Sequence, residues 1–177
     1  MRKRIQLGIL GLLGFLGVLV SPLSAQTTEM ETRYNELAAR FDGRDKLLQR
    51  DLKTYLQLYP YTTFLDEVNF MQGVLQVEKG RYKQALKFLE PIDIQALTRP
   101  HQTDYSFYRG YAYLMMQEYQ RASIYFGKLS KSDSRYKTRG TYYYAYCMYK
   151  LEQYDKALPA LKPWSTRRHT SRPCPIT

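Results

Sequence analysis

Histidine and cysteine are scarce in this chain: His101 and His169, Cys147 and Cys174 are all it has. Neither pair stands with partners at metal-ligand spacing, which excludes a zinc-type centre, and two cysteines do not make a disulfide framework. Cys147 falls in an aromatic helical stretch, where a buried small hydrophobe is the ordinary role, and no bridge to Cys174 is expected. A glycine-rich phosphate loop and a nucleophile elbow are missing too. Carboxylates such as Asp66, Glu67 and Glu78 read as solvated charges on a helical surface, and His101 reads as part of a proline-bounded loop. No catalytic residue, cofactor-binding residue or metal ligand is therefore assigned, and the chain reads as a non-enzyme that needs no cofactor.

Acidic residues are missing from position 162 onward, and this shapes the reading of the formal charge of +11. Arg2, Lys3 and Arg4 carry three of those charges, and Lys162, Arg167, Arg168 and Arg172 carry four. The body between them is left only mildly basic. A nucleic-acid binder concentrates its charge on the folded surface, so nucleic acid is not expected as a partner. The basic start belongs to a second pattern. Ile5 to Val20 is a charge-free, mostly apolar run, Pro22 breaks it, and Leu23-Ser24-Ala25 precedes Gln26. Residues 1–25 thus read as a secretory signal peptide cleaved after Ala25. The run is shorter than the roughly 20 apolar residues of a spanning helix. Membrane association is expected only through a partner or an uncleaved signal.

What the sequence has in abundance is tyrosine, eighteen in all, and some of them recur. Three segments align: Gly73 to Leu89, Gly110 to Phe126, and Ala145 to Leu161. In each, a small residue is followed by Tyr82, Tyr119 or Tyr154, then by Ala85, Ala122 or Ala157, then by Leu89, Phe126 or Leu161. The tyrosines are 37 and 35 residues apart. Helices crossing at close range need small residues at the crossing and large apolar ones in the space between pairs. A single pair cannot bury its apolar face, so stacking makes the continuous core. Within one unit, Leu65, Val68, Phe70, Met71, Val74, Leu75 and Val77 fall at helical spacing over Phe64–Lys79. Thr63 with Asp66 is capping-box-like, and Gly80 stops that helix before the next opens at Arg81. Pro91 and Pro100, and then Ser130–Ser134, punctuate the links. A worn earlier copy has its first helix near Glu29–Phe41 and its second over Leu47–Leu58 before Pro60. Gly43 and Leu48 lie 37 residues ahead of Gly80 and Ala85.

The pattern Gly/Ala…Tyr-x-x-Ala-x-x-x-Phe/Leu at this period resembles the tetratricopeptide repeat (TPR). It runs from about residue 29 to 163, with departures in the longer spacing and in the missing Trp/Leu signals of the first helices. The resemblance implies an all-α fold of antiparallel helix pairs stacked as a right-handed TPR-like solenoid. Residues 26–163 would hold about four pairs, the first degenerate and the last uncapped, followed by an irregular basic tail over 164–177. The Tyr-Pro-ended helix is similar to exported TPR proteins of Gram-negative envelopes, which implies the periplasm or the periplasmic face of the outer membrane.

The same resemblance implies a concave groove lined by first helices. Carried over, its residues are Phe70, Val74 and Val77, then Phe107, Tyr111 and Leu114, then Tyr142, Tyr146 and Tyr149, with Arg139 and Lys150 at the ends of the last set. Tyr presents a large apolar ring and a hydrogen-bonding tip at low entropy cost, so the groove would suit an extended or helical peptide. The Lys/Asn carboxylate clamp of some TPR proteins is absent. The competing reading packs these aromatics against a neighbouring repeat. The expected function is a protein–protein scaffold or adaptor of the cell envelope. The alternatives are a cell-wall or glycan-binding module, or the opening portion of a longer TPR protein.

Overall fold

Within each compact unit, short links force successive helices to run antiparallel, and this one constraint builds the helix pairs. The computed structural model describes residues 21–165 apart from 43, 44 and 46. Residues 1–20 of the expected signal, Gly43, and the tail from 166 with His169 and Cys174 lie outside the described residues. Eight α-helices and one 3-10 turn, Ile94–Ala96, make up the described part, with no strand among the described residues. The helices are α1 (Ser21–Asp42), α2 (Leu48–Leu58), α3 (Leu65–Glu78), α4 (Tyr82–Leu89), α5 (Arg99–Met115), α6 (Tyr119–Lys131), α7 (Lys137–Lys150) and α8 (Tyr154–Ser165). The chain divides into two compact units, Met1–Thr62 and Thr63–Thr177.

The first unit is a helical hairpin. Leu48, Leu52 and Tyr55 recur at i, i+4 and i+7 along α2, and all three are buried, as are Tyr34 and Leu37 of α1. At the hairpin end Arg40 reaches Asp45 at 2.6 Å and Asp51 at 2.8 Å. At the other end the Tyr55 hydroxyl shares a 2.9 Å hydrogen bond with the buried Thr62 hydroxyl. These side chains close both ends of a pair whose apolar seam is short.

The second unit holds three pairs, α3/α4, α5/α6 and α7/α8, in line with the expected repeats. Gly73 of α3 meets Leu89 of α4, and Gly110 of α5 meets Tyr125 and Phe126 of α6. Ala85 and Ala122 are fully buried, and Ala157 nearly so. Helix α5 packs on both α3 and α4, and α7 packs on α6. The last pair is covered less: Leu158 is 64% exposed, whereas Leu86, its counterpart beside the repeat alanine, is buried.

Each first helix of the second unit ends in the same way. The Gly80 N–H donates to the Val77 carbonyl and the Arg81 N–H to the Gln76 carbonyl, both at 2.9 Å. Gln117 and Glu118 repeat this with Leu114 and Tyr113, and Glu152 and Gln153 with Tyr149 and Met148. This double bond is the Schellman ending, which needs a left-handed residue after the helix. Gly80, Gln117 and Glu152 hold φ of 70°, 63° and 59°. Only the first of these is a glycine, so only there does the sequence announce the stop.

Four local expectations change. Thr63 forms no capping box: Phe64 is the N-cap of α3 and makes no side-chain cap bond. Ser130 is not in a link, since α6 continues to Lys131, and α8 extends through Ser165 past the expected repeat boundary. His101 is in the first turn of α5, not in a loop. Pro100 beside it occupies the N-terminal helical position where its missing N–H costs nothing.

Candidate functional site

The aromatic side chains of α5, α6 and α7 meet in several groups. The first is centred on Phe107, which stacks on Tyr136 at 4.3 Å and on Tyr111 at 6.1 Å, with Phe126 and Tyr143 both at 6.3 Å. Tyr111 continues it to Tyr143 at 5.8 Å and to Tyr82 at 6.1 Å. Tyr142 joins through Tyr143 at 5.5 Å. Two further ring pairs lie toward the C-terminal end of α7, where Tyr146 meets Tyr119 edge-on at 6.2 Å and Tyr149 meets Tyr154 at 5.8 Å. The Lys150 ammonium sits 5.6 Å from the Tyr146 ring centroid.

Burial divides the sequence-derived groove residues into two groups. Phe70, Val74, Val77, Phe107 and Leu114 are buried by the chain's own side chains. Phe70, for instance, lies against the His101 ring at 4.7 Å. Tyr111 and Tyr142 are half-buried, and Arg139 and Lys150 are exposed. Tyr146 and Tyr149 are 38% and 56% exposed. Residues 142, 146 and 149 share one face of α7 by their i, i+4, i+7 spacing. Among the groove residues the accessible aromatics are therefore on α7 and the adjoining edge of α5, with basic side chains at both ends of the α7 face.

Tyr136 and Tyr143 were not singled out by sequence as packing residues. Tyr136 stands just before α7, outside the helical period, so no register signal marks it. Its hydroxyl is pushed up to about 12 by burial and by the Asp104 carboxylate, as expected for a ring serving as core. Tyr144 is accommodated by Gly127 of α6, where an added Cβ would lie 3.3 Å from its ring.

Glu67 departs most from its expected surroundings. It is not solvated but 4% exposed on α3, where Oε1 accepts from the Thr98 N–H and Oε2 meets His101 Nδ1, both at 2.5 Å. Burial alone would raise its carboxyl, but the bonds from His101 and Thr98 outweigh this and leave it below the ordinary value. Thr98 is the N-cap of α5, so the carboxylate supplies the capping acceptor from another helix and joins α5 to α3.

The described residues hold no group of three His, Cys, Asp or Glu that could bind a metal ion. Among them, no helix is long and apolar enough to cross a membrane. The arrangement offers rings, hydroxyls and a few cations, which suit recognition of another chain. Comparison with curated proteins gives no match. A family model, Iml2/Tetratricopeptide repeat protein 39, matches residues 4–169. The match and the all-helical repeat architecture agree: the chain belongs to the Iml2/Tetratricopeptide repeat protein 39 family and is a TPR-type repeat protein.

Proposed function

We propose that this chain is a non-catalytic scaffold of the bacterial cell envelope, which seats a segment of a partner protein on the aromatic face of α7 and the edge of α5. The observation that carries the reading is the pair of exposed rings Tyr146 and Tyr149 beside the half-buried Tyr142 and Tyr111. Large exposed aromatic side chains grouped on one helix face are a feature of binding surfaces, not of solvated ones. Arg139 and Lys150 at the ends would favour a segment with acidic flanks. The buried Phe107, packed against Tyr111 and Tyr143, supports this surface from beneath.

The envelope location rests on the Arg2-Lys3-Arg4 start, the apolar run that follows it and the Ala25–Gln26 junction. Fusing residues 1–30 to a phosphatase active only in the periplasm of a Gram-negative host tests it. Activity and cleavage after Ala25 are expected, and a cytoplasmic, uncut fusion would overturn the placement. For the surface, peptides selected on the full chain from a random display library should lose about tenfold or more in affinity on a Tyr146→Ala/Tyr149→Ala variant. Unchanged affinity would exclude the α7 face. Sedimentation with purified peptidoglycan, abolished by the same variant, would instead favour a glycan site.

A further inference from the structure

On the side of α5 away from Phe107 and Tyr111, three tyrosines enclose one arginine. Arg109 lies two residues from each of those aromatics, about 200° around the helix. Its guanidinium carbon is 5.5 Å from the Tyr105 ring centroid, 5.9 Å from Tyr113 and 5.4 Å from Tyr125. It donates through Nη1 to the Tyr105 hydroxyl, and that hydroxyl donates to the Leu89 carbonyl at 3.1 Å. The Tyr113 hydroxyl donates to Glu90 Oε1 at 2.7 Å. The guanidinium is thus held in place by rings and hydroxyls.

Among the described residues no carboxylate stands within ion-pairing distance of Arg109, and its Nε is enclosed without a hydrogen-bond partner. A half-buried cation without an anion is costly, and ring faces offset only part of that. Arg109 also lines a cleft of about 310 Å³ between the end of α4, α5 and α6, together with Glu90, Tyr113, Arg121, Ile124 and Tyr125. Arg121 is exposed there, 5.4 Å from the Tyr113 ring centroid; it pairs with Glu118 at 3.1 Å outside the cleft lining, and its contact with Glu90 is long at 3.8 Å.

We infer that this cleft is a second binding site, which takes an Asp or Glu side chain of a partner segment. A guanidinium held flat matches the plane and two oxygens of a carboxylate. The lining carries two positive charges and one negative, which suits a monoanion and disfavours a phosphate dianion. The volume is at the low end for ligand pockets, enough for one side chain. Ile124, 56% exposed at the rim, gives an apolar neighbour of that carboxylate a place to pack. The site is independent of the α7 face, which lies on the other side of α5.

The test is an NMR titration of the full chain, labelled at arginine, with acetyl-Leu-Glu-Leu-amide followed at the Nε–Hε signals. Saturable millimolar shifts of Arg109 and Arg121 are expected, with none from acetyl-Leu-Gln-Leu-amide. Arg121→Ala, an exposed substitution, should weaken binding about threefold. Arg109→Lys keeps the charge but loses the planar fork and should weaken it about tenfold. Equal binding of the glutamine peptide, or tighter binding of inorganic phosphate at the same signals, would overturn the assignment. So would shifts confined to other arginines.

Discussion

Gly73 and Leu89 pack with no room to spare: a Cβ added to Gly73 would stand 2.5 Å from both Cγ and Cδ2 of Leu89. Leu89 is itself fully buried, so it cannot swing aside. Gly73→Ala should therefore cost about 1–3 kcal/mol through overpacking. Leu89→Ala should cost about 2–5 kcal/mol through the cavity it leaves. The double variant should cost clearly less than the two together, because each change relieves the other. Urea unfolding of the four proteins measures this coupling, and simple additivity would show that the contact does not set the distance between α3 and α4.

The left-handed residues that end the first helices give a prediction of opposite sign. Gln117 and Glu152 hold positive φ with side chains that disfavour it, where Gly80 holds the same geometry at no steric cost. Gln117→Gly should raise stability by up to about 1 kcal/mol, although glycine in most positions lowers it. Gly80→Ala should lower it by a similar amount. Thermal unfolding of both variants checks the pair, and destabilisation by Gln117→Gly would refute the shared ending.

These two relationships also show what was legible beforehand. The register of small and large residues from Gly73 to Leu89 and from Gly110 to Phe126 was visible because each pair repeats the same local problem at a nearly constant period. The Gly80 stop was visible because glycine advertises it. The equivalent stops at Gln117 and Glu152 carry no such residue, and their backbone is imposed by the packing of the helices on either side. Glu67 was misjudged because its partners, Thr98 and His101, come from a different helix some thirty residues away. The Arg109 cluster was missed for a similar reason: its rings come from α5 and α6 and meet only once the pair has formed. For the groove, the resemblance indicated which helices to examine, but it could not say which aromatics the chain would cover with its own side chains.

Cys147 offers a direct probe of that packing. The thiol is fully buried on α7, and burial pushes it up to about 12. The thiolate is the reactive form, so at pH 8 the native chain should resist a disulfide reagent at this position. In a Cys174→Ser variant, labelling should be absent in the folded chain and stoichiometric in denaturant. Rapid labelling without denaturant would mean that the α7 core opens readily.

Acid should act on the second unit through Glu67. Its carboxyl is below the ordinary 4.5 in the folded chain, because the His101 ring and the Thr98 N–H outweigh the penalty of burial. A carboxyl lowered by folding contributes stability that is fully present above its unfolded value. That contribution is lost as pH falls through the folded one. Protonation would leave an acceptor-poor group at the N-terminus of α5 and weaken the hold on His101. Glu67→Gln should therefore cost about 1–3 kcal/mol at pH 7, where the charged hydrogen bonds are intact. Asp45 and Asp51 are also lowered, through bonds to Leu47 and Arg40 for the first and to Arg40 for the second, so the wild-type acid limb has several sources. The informative quantity is the difference in melting temperature between wild type and Glu67→Gln from pH 7 to pH 3. That gap should be widest near neutrality and shrink below about pH 4.5, as the wild-type carboxylate takes up its proton. A gap that stays constant over the whole range would mean that the charge on Glu67 does not hold α5 to α3.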